Sequence, residues 1–420
     1  MKKASFLSLS AALALGLTGS LCVTPALAAK KEKAPEAPKI ELSKEFRAAA
    51  GPVETDIKAG KFDGMAARLD ALAAQYKLPD EQFIIGGRRY DFGRVTKNSA
   101  ELRKAVIAMI DSKSSLATNG AQLNGAAGQY AYNERDFADA ITRFTEAVRL
   151  GNKEPDTFIL MAESSFQTGK MVEGLGFAER AIAEKKALGQ VPPADWYQRA
   201  LSVALKAKLQ PQVAKWSRDR VSAYPTAQNW RDALLLYKDS SKLDGQSALD
   251  VMRLIRSAKA LSGERDYFEY AALATERGLP GEAKSVIEEG MASGAIGKSS
   301  RPLNELLVAA SSKVAGDLSS LAASEKRAST DAAGKIAAGT ADAYLGYGQD
   351  AKAAPLYKIA LQKGQVDTDT VNTRLGIALA RQGQKAEAKA AFAAVVGSRA
   401  EIAKYWSLWL DTLAQPATAK

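Results

Sequence analysis

Small and apolar residues recur along this chain at helical spacing, not at the alternation of strands. In residues 135–150, Ala140, Phe144 and Ala147 fall three and four apart, on one face of a helix that Phe137 opens. Gly128, twelve residues before Ala140, falls in a preceding partner helix. The pattern returns at Pro155 with Phe158, Ala162, Gly169 at a turn, Ala178 and Ala181. It returns at Pro193 with Trp196, Ala200 and Trp216, and at Ala227 with Trp230 and Tyr237, so that Trp196 and Trp230 stand 34 residues apart. Further units begin at Glu264, Gly334 and Asp369, and a weaker one spans Phe46 to Pro79. Such self-similarity predicts antiparallel helix pairs that share a continuous core with their neighbours. Residues 80–120 and 298–333 fit poorly and are expected to be degenerate pairs. Asn98 and Glu101 are spaced as a capping box. Pro355 falls inside a predicted second helix and should bend it or delay its start.

These units resemble the tetratricopeptide repeat family. Gly128, Ala140 and Ala147 match its three small crossing positions, and Phe137 and Phe144 its bulky ones. Gly174 departs from the pattern, standing where an alanine is usual, and should loosen its helix. The resemblance implies an all-α, right-handed α-solenoid of antiparallel helix pairs. Repeats are expected over 121–297 and 334–400, a helical region with one degenerate unit over 46–120, and a degenerate pair over 298–333. A capping helix and tail fill 401–420, where Ile402, Tyr405, Trp406, Trp409 and Leu413 recur at helical spacing and would share a face. The resemblance also implies a concave groove lined by first-helix side chains: Gln129, Tyr132 and Asn133; Glu163, Phe166 and Gln167; Arg231 and Lys238. Tyr132 and Phe166, with the adjacent amides Asn133 and Gln167, would form a ladder for an extended chain. The family's clamp for a C-terminal carboxylate is absent, because Gly125 and Gln129 stand at its positions.

The N-terminus changes the compartment. Lys2 and Lys3 precede an apolar run from Phe6 to Leu17, and the segment ends Pro25-Ala26-Leu27-Ala28. This is the form of a signal peptide over residues 1–28, cleaved after Ala28. Leu21 before Cys22 argues against a lipoprotein signal. Residues 29–45 read as a flexible linker rich in Lys, Glu and Pro. The expected location is the periplasm, with a secreted or envelope-associated product as the alternative. No later stretch approaches the roughly 20 apolar residues of a transmembrane helix.

Composition then removes whole classes of chemistry. The chain has no histidine, and its one cysteine, Cys22, lies in the expected signal. Histidine bases, Ser-His-Asp triads, thiolate nucleophiles and the usual zinc sites are excluded for the remainder. Losing Lys2 and Lys3 lowers the formal net charge from +11 to +9, a mild basic bias. It is compatible with an anionic polymer, but no dense basic and aromatic cluster marks nucleic acid. Asp91-Phe92-Gly93 lacks the rest of a kinase signature, and Gly174-Leu175-Gly176 lacks the strand and third glycine of a dinucleotide site. Gly86-Gly87-Arg88-Arg89 reads as an inter-helix loop, and Glu288-Glu289 as solvated surface. The expectation is a non-enzymatic scaffold without cofactor or metal, binding an envelope protein, peptide or polymer in envelope assembly, secretion or polysaccharide export. The alternatives are a carboxylate-based glycan hydrolase or lyase on a helical superhelix, and a small-ligand receptor.

Overall fold

The computed structural model describes residues 40–413. Among these it forms twenty α-helices and no strand. The chain divides into two compact units, Met1–Thr118 and Asn119–Lys420. The expected signal segment and most of the linker lie outside the described residues.

The first unit pairs α1 (Lys44–Lys58) with α2 (Met65–Gln75), and α3 (Pro79–Thr96) with α4 (Ser99–Asp111). Phe46, Val53, Met65, Leu69, Ile85 and Phe92 form its core. The chain is tied down from Glu41, whose backbone N–H donates to Asp80 (2.7 Å). Ser43 donates its N–H (2.9 Å) and hydroxyl (2.6 Å) to Glu81, so order begins inside the expected linker. Residues 86–89 are not a loop but lie inside α3. Gly86 lets α3 approach α4, since a Cβ there would lie 2.7 Å from Met109. Buried Arg89 is ion-paired with Asp70 and Glu101. Asn98 accepts the Glu101 N–H as a cap should, while the Glu101 carboxylate is spent on Arg89.

The second unit stacks α5 (Gly120–Asn133) on α6 (Phe137–Arg149), α7 (Pro155–Gln167) on α8 (Met171–Ala187) and α9 (Ala194–Lys206) on α10 (Gln210–Ala223). The pairs α11 (Ala227–Ser240) and α12 (Gly245–Ser257), then α13 (Gly263–Glu276) and α14 (Pro280–Ala292), follow. After α15 (Arg301–Thr330) come α16 (Lys335–Gly346) with α17 (Asp350–Lys363), α18 (Thr368–Arg381) with α19 (Lys385–Ala393), and α20 (Ala400–Thr412). Most pairs turn alike. A left-handed residue (Arg135, Gly169, Lys208, Gly278, Gly348 or Gly383) follows the first helix. The next N–H then reaches back five residues, as Asp136 does to Ala131 (2.8 Å) and Lys170 to Ser165 (2.8 Å). That bond satisfies carbonyls the helix end would orphan. Glycine also sits where rings press in: a Cβ on Gly128 would lie 2.6 Å from Phe144. Gly174 does not loosen α8. A Cβ there would lie 2.5 Å from the Phe166 ring and 2.9 Å from the Ala162 carbonyl, so the missing methyl permits tight packing.

Three further expectations are corrected. Residues 298–333 hold one 30-residue helix, α15, not a pair, and against expectation it is, by length and composition alone, long and apolar enough to cross a membrane. It lacks the internal breaker a turn requires: its only proline, Pro302, sits in the first turn, and Gly316 is tolerated mid-helix. Pro355 does not delay α17, which already begins at Asp350.

The C-terminal helix is more than a cap. Trp406 stacks on Phe392 of the last pair (6.1 Å between centroids), as a cap would, but Leu413, expected on the same face, lies past the end of the helix and is exposed. The other side of α20 meets α10–α12: Tyr405 packs edge-on to Trp230 (6.4 Å) and beside Tyr237 (5.8 Å), and Glu401 pairs with Arg218. Arg399, just before α20, donates to fully buried Asp250 of α12 (2.7 Å). In a simple solenoid each repeat touches only its neighbours. Here the segment from α10 to α20 closes on itself, and α12 and α18 become inner helices. Every residue from Ser247 to Ile255 is buried, as is every residue from Thr373 to Ala380.

Candidate functional site

Two surfaces carry the candidate chemistry. The first is the first-helix face of α5, α7 and α9. Gln129 donates to Asn133 one turn on (3.1 Å), and both remain at the surface. Half-buried Tyr132 packs edge-on to Phe137 (5.7 Å). Its hydroxyl pKa is pushed up by burial and by the charge of Glu163. Glu163 holds Arg199 of α9 through two bonds (2.8 and 2.7 Å), a bidentate pair crossing from one repeat to the next. Gln167 is exposed.

Phe166 is not a groove anchor. It is 8% exposed, covered by the Arg199 guanidinium (5.5 Å to the ring centroid), with its ring against Gly174. The expected Tyr132–Phe166 ladder therefore has one surface rung. What the face presents is Tyr132 beside the Glu163–Arg199 pair, flanked by amides. Arg231 and Lys238 are not brought to this patch. Arg231 holds Asp266 through two bonds (2.7 and 2.9 Å), and Lys238 pairs with Glu269, both on α13. These charges lock the register of α11 on α13.

The second surface is the interior of the closed segment. A cavity of about 640 Å³ opens among α12, α13, α15, α16 and α18, and a smaller one of about 320 Å³ adjoins it. Gln246, Gly339, Asp342 and Arg374 line both. Arg374 is 7% exposed and donates to Asp342 (2.5 Å) and Gln246 (3.2 Å), with its Nε 3.5 Å from Asp250. Asp342 also accepts from the Tyr357 hydroxyl (2.6 Å). Behind this wall lies a buried charge cluster. Arg253 bridges Asp250 (2.8 Å) and Glu282 (2.8 and 2.6 Å), and Tyr270 donates to Glu282 (2.8 Å). Burial alone would raise the Glu282 pKa, but Arg253 and Arg381 hold it at about 2. Asp250 is held low against its own burial by Arg374, Arg253 and Arg399.

Sequence periodicity did not reveal this interior, because its residues come from five helices brought together by the return of α20. A faint signal was present. Asp250 and Arg253 sit three apart in the run Ala248-Leu249-Asp250-Val251-Met252-Arg253-Leu254-Ile255, and charges within a helix apolar on every face must find buried partners. Among the described residues no group of acidic side chains is arranged to hold a metal.

The fold and these surfaces define the class, an all-α solenoid of tetratricopeptide-like helix pairs. No family model matches the chain, and no curated protein matches it. Among solved structures, it is similar to MamA (41-end) from Desulfovibrio magneticus RS-1, at 8% identity over 44% of this chain and 97% of that one, with a TM-score of 0.29. It is similar to a tetratricopeptide repeat protein from Parabacteroides merdae at 14% identity, over 79% and 99% of the two chains (TM-score 0.27). A third is the TPR2AB-domain:pHSP90 complex of yeast Sti1, at 15% identity over 70% and 96% (TM-score 0.24).

Proposed function

We propose that this chain is a periplasmic scaffold that holds a protein segment along the first-helix face of α5, α7 and α9. The observation that carries the reading is the contiguity of Tyr132 with the Glu163–Arg199 pair across successive repeats. An aromatic half-exposed beside a bidentate ion pair, with surface amides on either side, offers stacking area and hydrogen bonds to an extended chain. The N-terminal 28 residues supply the compartment, and envelope assembly, secretion or polysaccharide export are the settings in which such a scaffold would serve. The absence of histidine and cysteine beyond Cys22 supports a non-enzymatic role.

The test is site-specific photo-crosslinking in the native host, with the photoreactive residue placed at Gln129 or Gln167. Both sites should give one discrete periplasmic adduct, lost when Tyr132→Ala and Arg199→Ala are combined, with helical content unchanged. Retention of the full-length precursor in the cytoplasm, or adducts only from exposed sites elsewhere such as Val172, would overturn the reading.

A further inference from the structure

We propose that the cavity around Arg374 binds a short zwitterionic peptide, its carboxylate against the guanidiniums and its ammonium against the carboxylates of the wall. This goes beyond the scaffold reading and involves different residues, so either can fail alone.

Size is the first argument. About 640 Å³, joined to 320 Å³ through a shared wall, lies within the range of small-ligand sites. Charge is the second. Arg277 and Arg327, both exposed, stand at the rim of the larger cavity, and among the described residues neither is in an ion pair. The Arg277 guanidinium lies over Gly245, at the first residue of α12. Arg374, more than nine-tenths buried, lines both cavities with the guanidinium edge that holds Asp342 and Gln246, while its Nε turns away toward Asp250. Glu276, Asp317 and Asp342 supply the opposite sign on the same walls. Asp317 accepts one hydrogen bond, from Tyr347 (2.7 Å), and a carboxylate can accept several.

A purely anionic ligand would meet these carboxylates, and a purely cationic one the arginines. A neutral ligand would leave both signs unmatched as water is displaced, which is costly. A ligand carrying both charges matches the wall. The lining also decides what kind of cation fits. A quaternary ammonium is recognised by aromatic faces. The larger cavity has no aromatic lining, and the smaller has only Tyr357, whose hydroxyl is committed to Asp342. A primary ammonium, which donates three hydrogen bonds, is what Asp317 and Asp342 suit.

Calorimetric titration of the chain from Ala29 onward tests this with ligands altered one charge at a time. Trialanine with free termini should bind, and acetylating its amine or amidating its carboxylate should each weaken binding at least tenfold. Arg277→Ala with Arg327→Ala should weaken trialanine at least tenfold, while Lys326→Ala, next in sequence but outside the cavity lining, should not. Equal binding of the doubly capped peptide overturns the proposal. So does preference for phosphocholine or for an oligogalacturonate, which would make the site one for a lipid headgroup or an acidic glycan. No heat for trialanine at millimolar concentration, with the fold intact by circular dichroism, overturns it as well.

Discussion

At the scale of single residues, the buried charges are the positions with most at stake. Arg253 is fully buried and neutralises two carboxylates. Replacing it with methionine roughly keeps the volume but takes from Glu282 its one direct ion-pair partner, while Asp250 keeps Arg399 and Arg374, and removing one partner of a buried pair costs about 3–5 kcal/mol. Urea unfolding of Arg253→Met should show a loss of that size; a loss under about 1 kcal/mol would mean the cluster is hydrated. The pH dependence follows from the same residues. Glu282 titrates near 2 when folded against an ordinary 4.5, so the folded state binds fewer protons in between. Its stabilisation is complete above about 4.5 and is lost as pH falls toward 2, with Asp250 shifted the same way. At the alkaline end, burial first, then the charge of Asp219, pushes the Tyr197 hydroxyl up to about 12 from 10. Its contribution holds below 10 and disappears as pH rises through 12. The urea midpoint should fall at both ends, and a flat profile between pH 4.5 and 2 would contradict the cluster's geometry. Gly174 gives a local check. Gly174→Ala drives a methyl into Phe166 and the Ala162 carbonyl, and overpacking of this kind costs about 1–3 kcal/mol by thermal or urea unfolding. A gain in stability there would mean that glycine loosens α8 after all.

At the scale of elements, the periodicity that predicts helix pairs is visible wherever a small residue meets a ring, as with Gly128 and Phe144, or Gly376 and Phe392. The repeat boundaries were legible for that reason: only a residue without a side chain fits there, and a left-handed turn residue follows at a fixed distance. The groove residues were less legible. A first-helix position says which way a side chain points, but not whether the next repeat offers a partner. Asp266 and Glu269 claim Arg231 and Lys238, and the Arg199 guanidinium covers Phe166. The long helix α15 was missed because residues 298–333, which fit the repeat poorly, are about one unit long and so suggest a degenerate pair, although they carry no internal turn signal. It is held by Leu303, Ala310, Leu321 and Ala328, and by the Tyr344 and Tyr347 hydroxyls donating to Glu325 and Asp317 (2.8 and 2.7 Å). With so few anchors over 30 residues, α15 should open locally before the unit unfolds. Hydrogen exchange should show its amides exchanging well ahead of those of α12 and α18, and Leu321→Ala should widen the gap. Equal protection in α15 and α12 would contradict this.

At the scale of the second unit, nearest-neighbour repeats predict an open stack, and the structure instead returns α20 to α10–α12. Sequence showed the apolar face of α20 through Ile402, Tyr405, Trp406 and Trp409 but not its second contact, because Asp250 and Arg399 are 149 residues apart and no repeat relates them. The closure creates the interior cavity and makes α12 and α18 buried on all sides. It is also the claim on which the cavity proposal and the buried charge cluster both depend. The most direct measurement is intramolecular cross-linking of Arg218→Cys with Glu401→Cys in the chain from Ala29, which has no other cysteine. A short bis-maleimide should convert the monomer to a faster-migrating cross-linked form in high yield under native conditions, and not in denaturant. If both cysteines are modified but no internal cross-link forms, or if only cross-linked dimers appear, α20 does not close this unit.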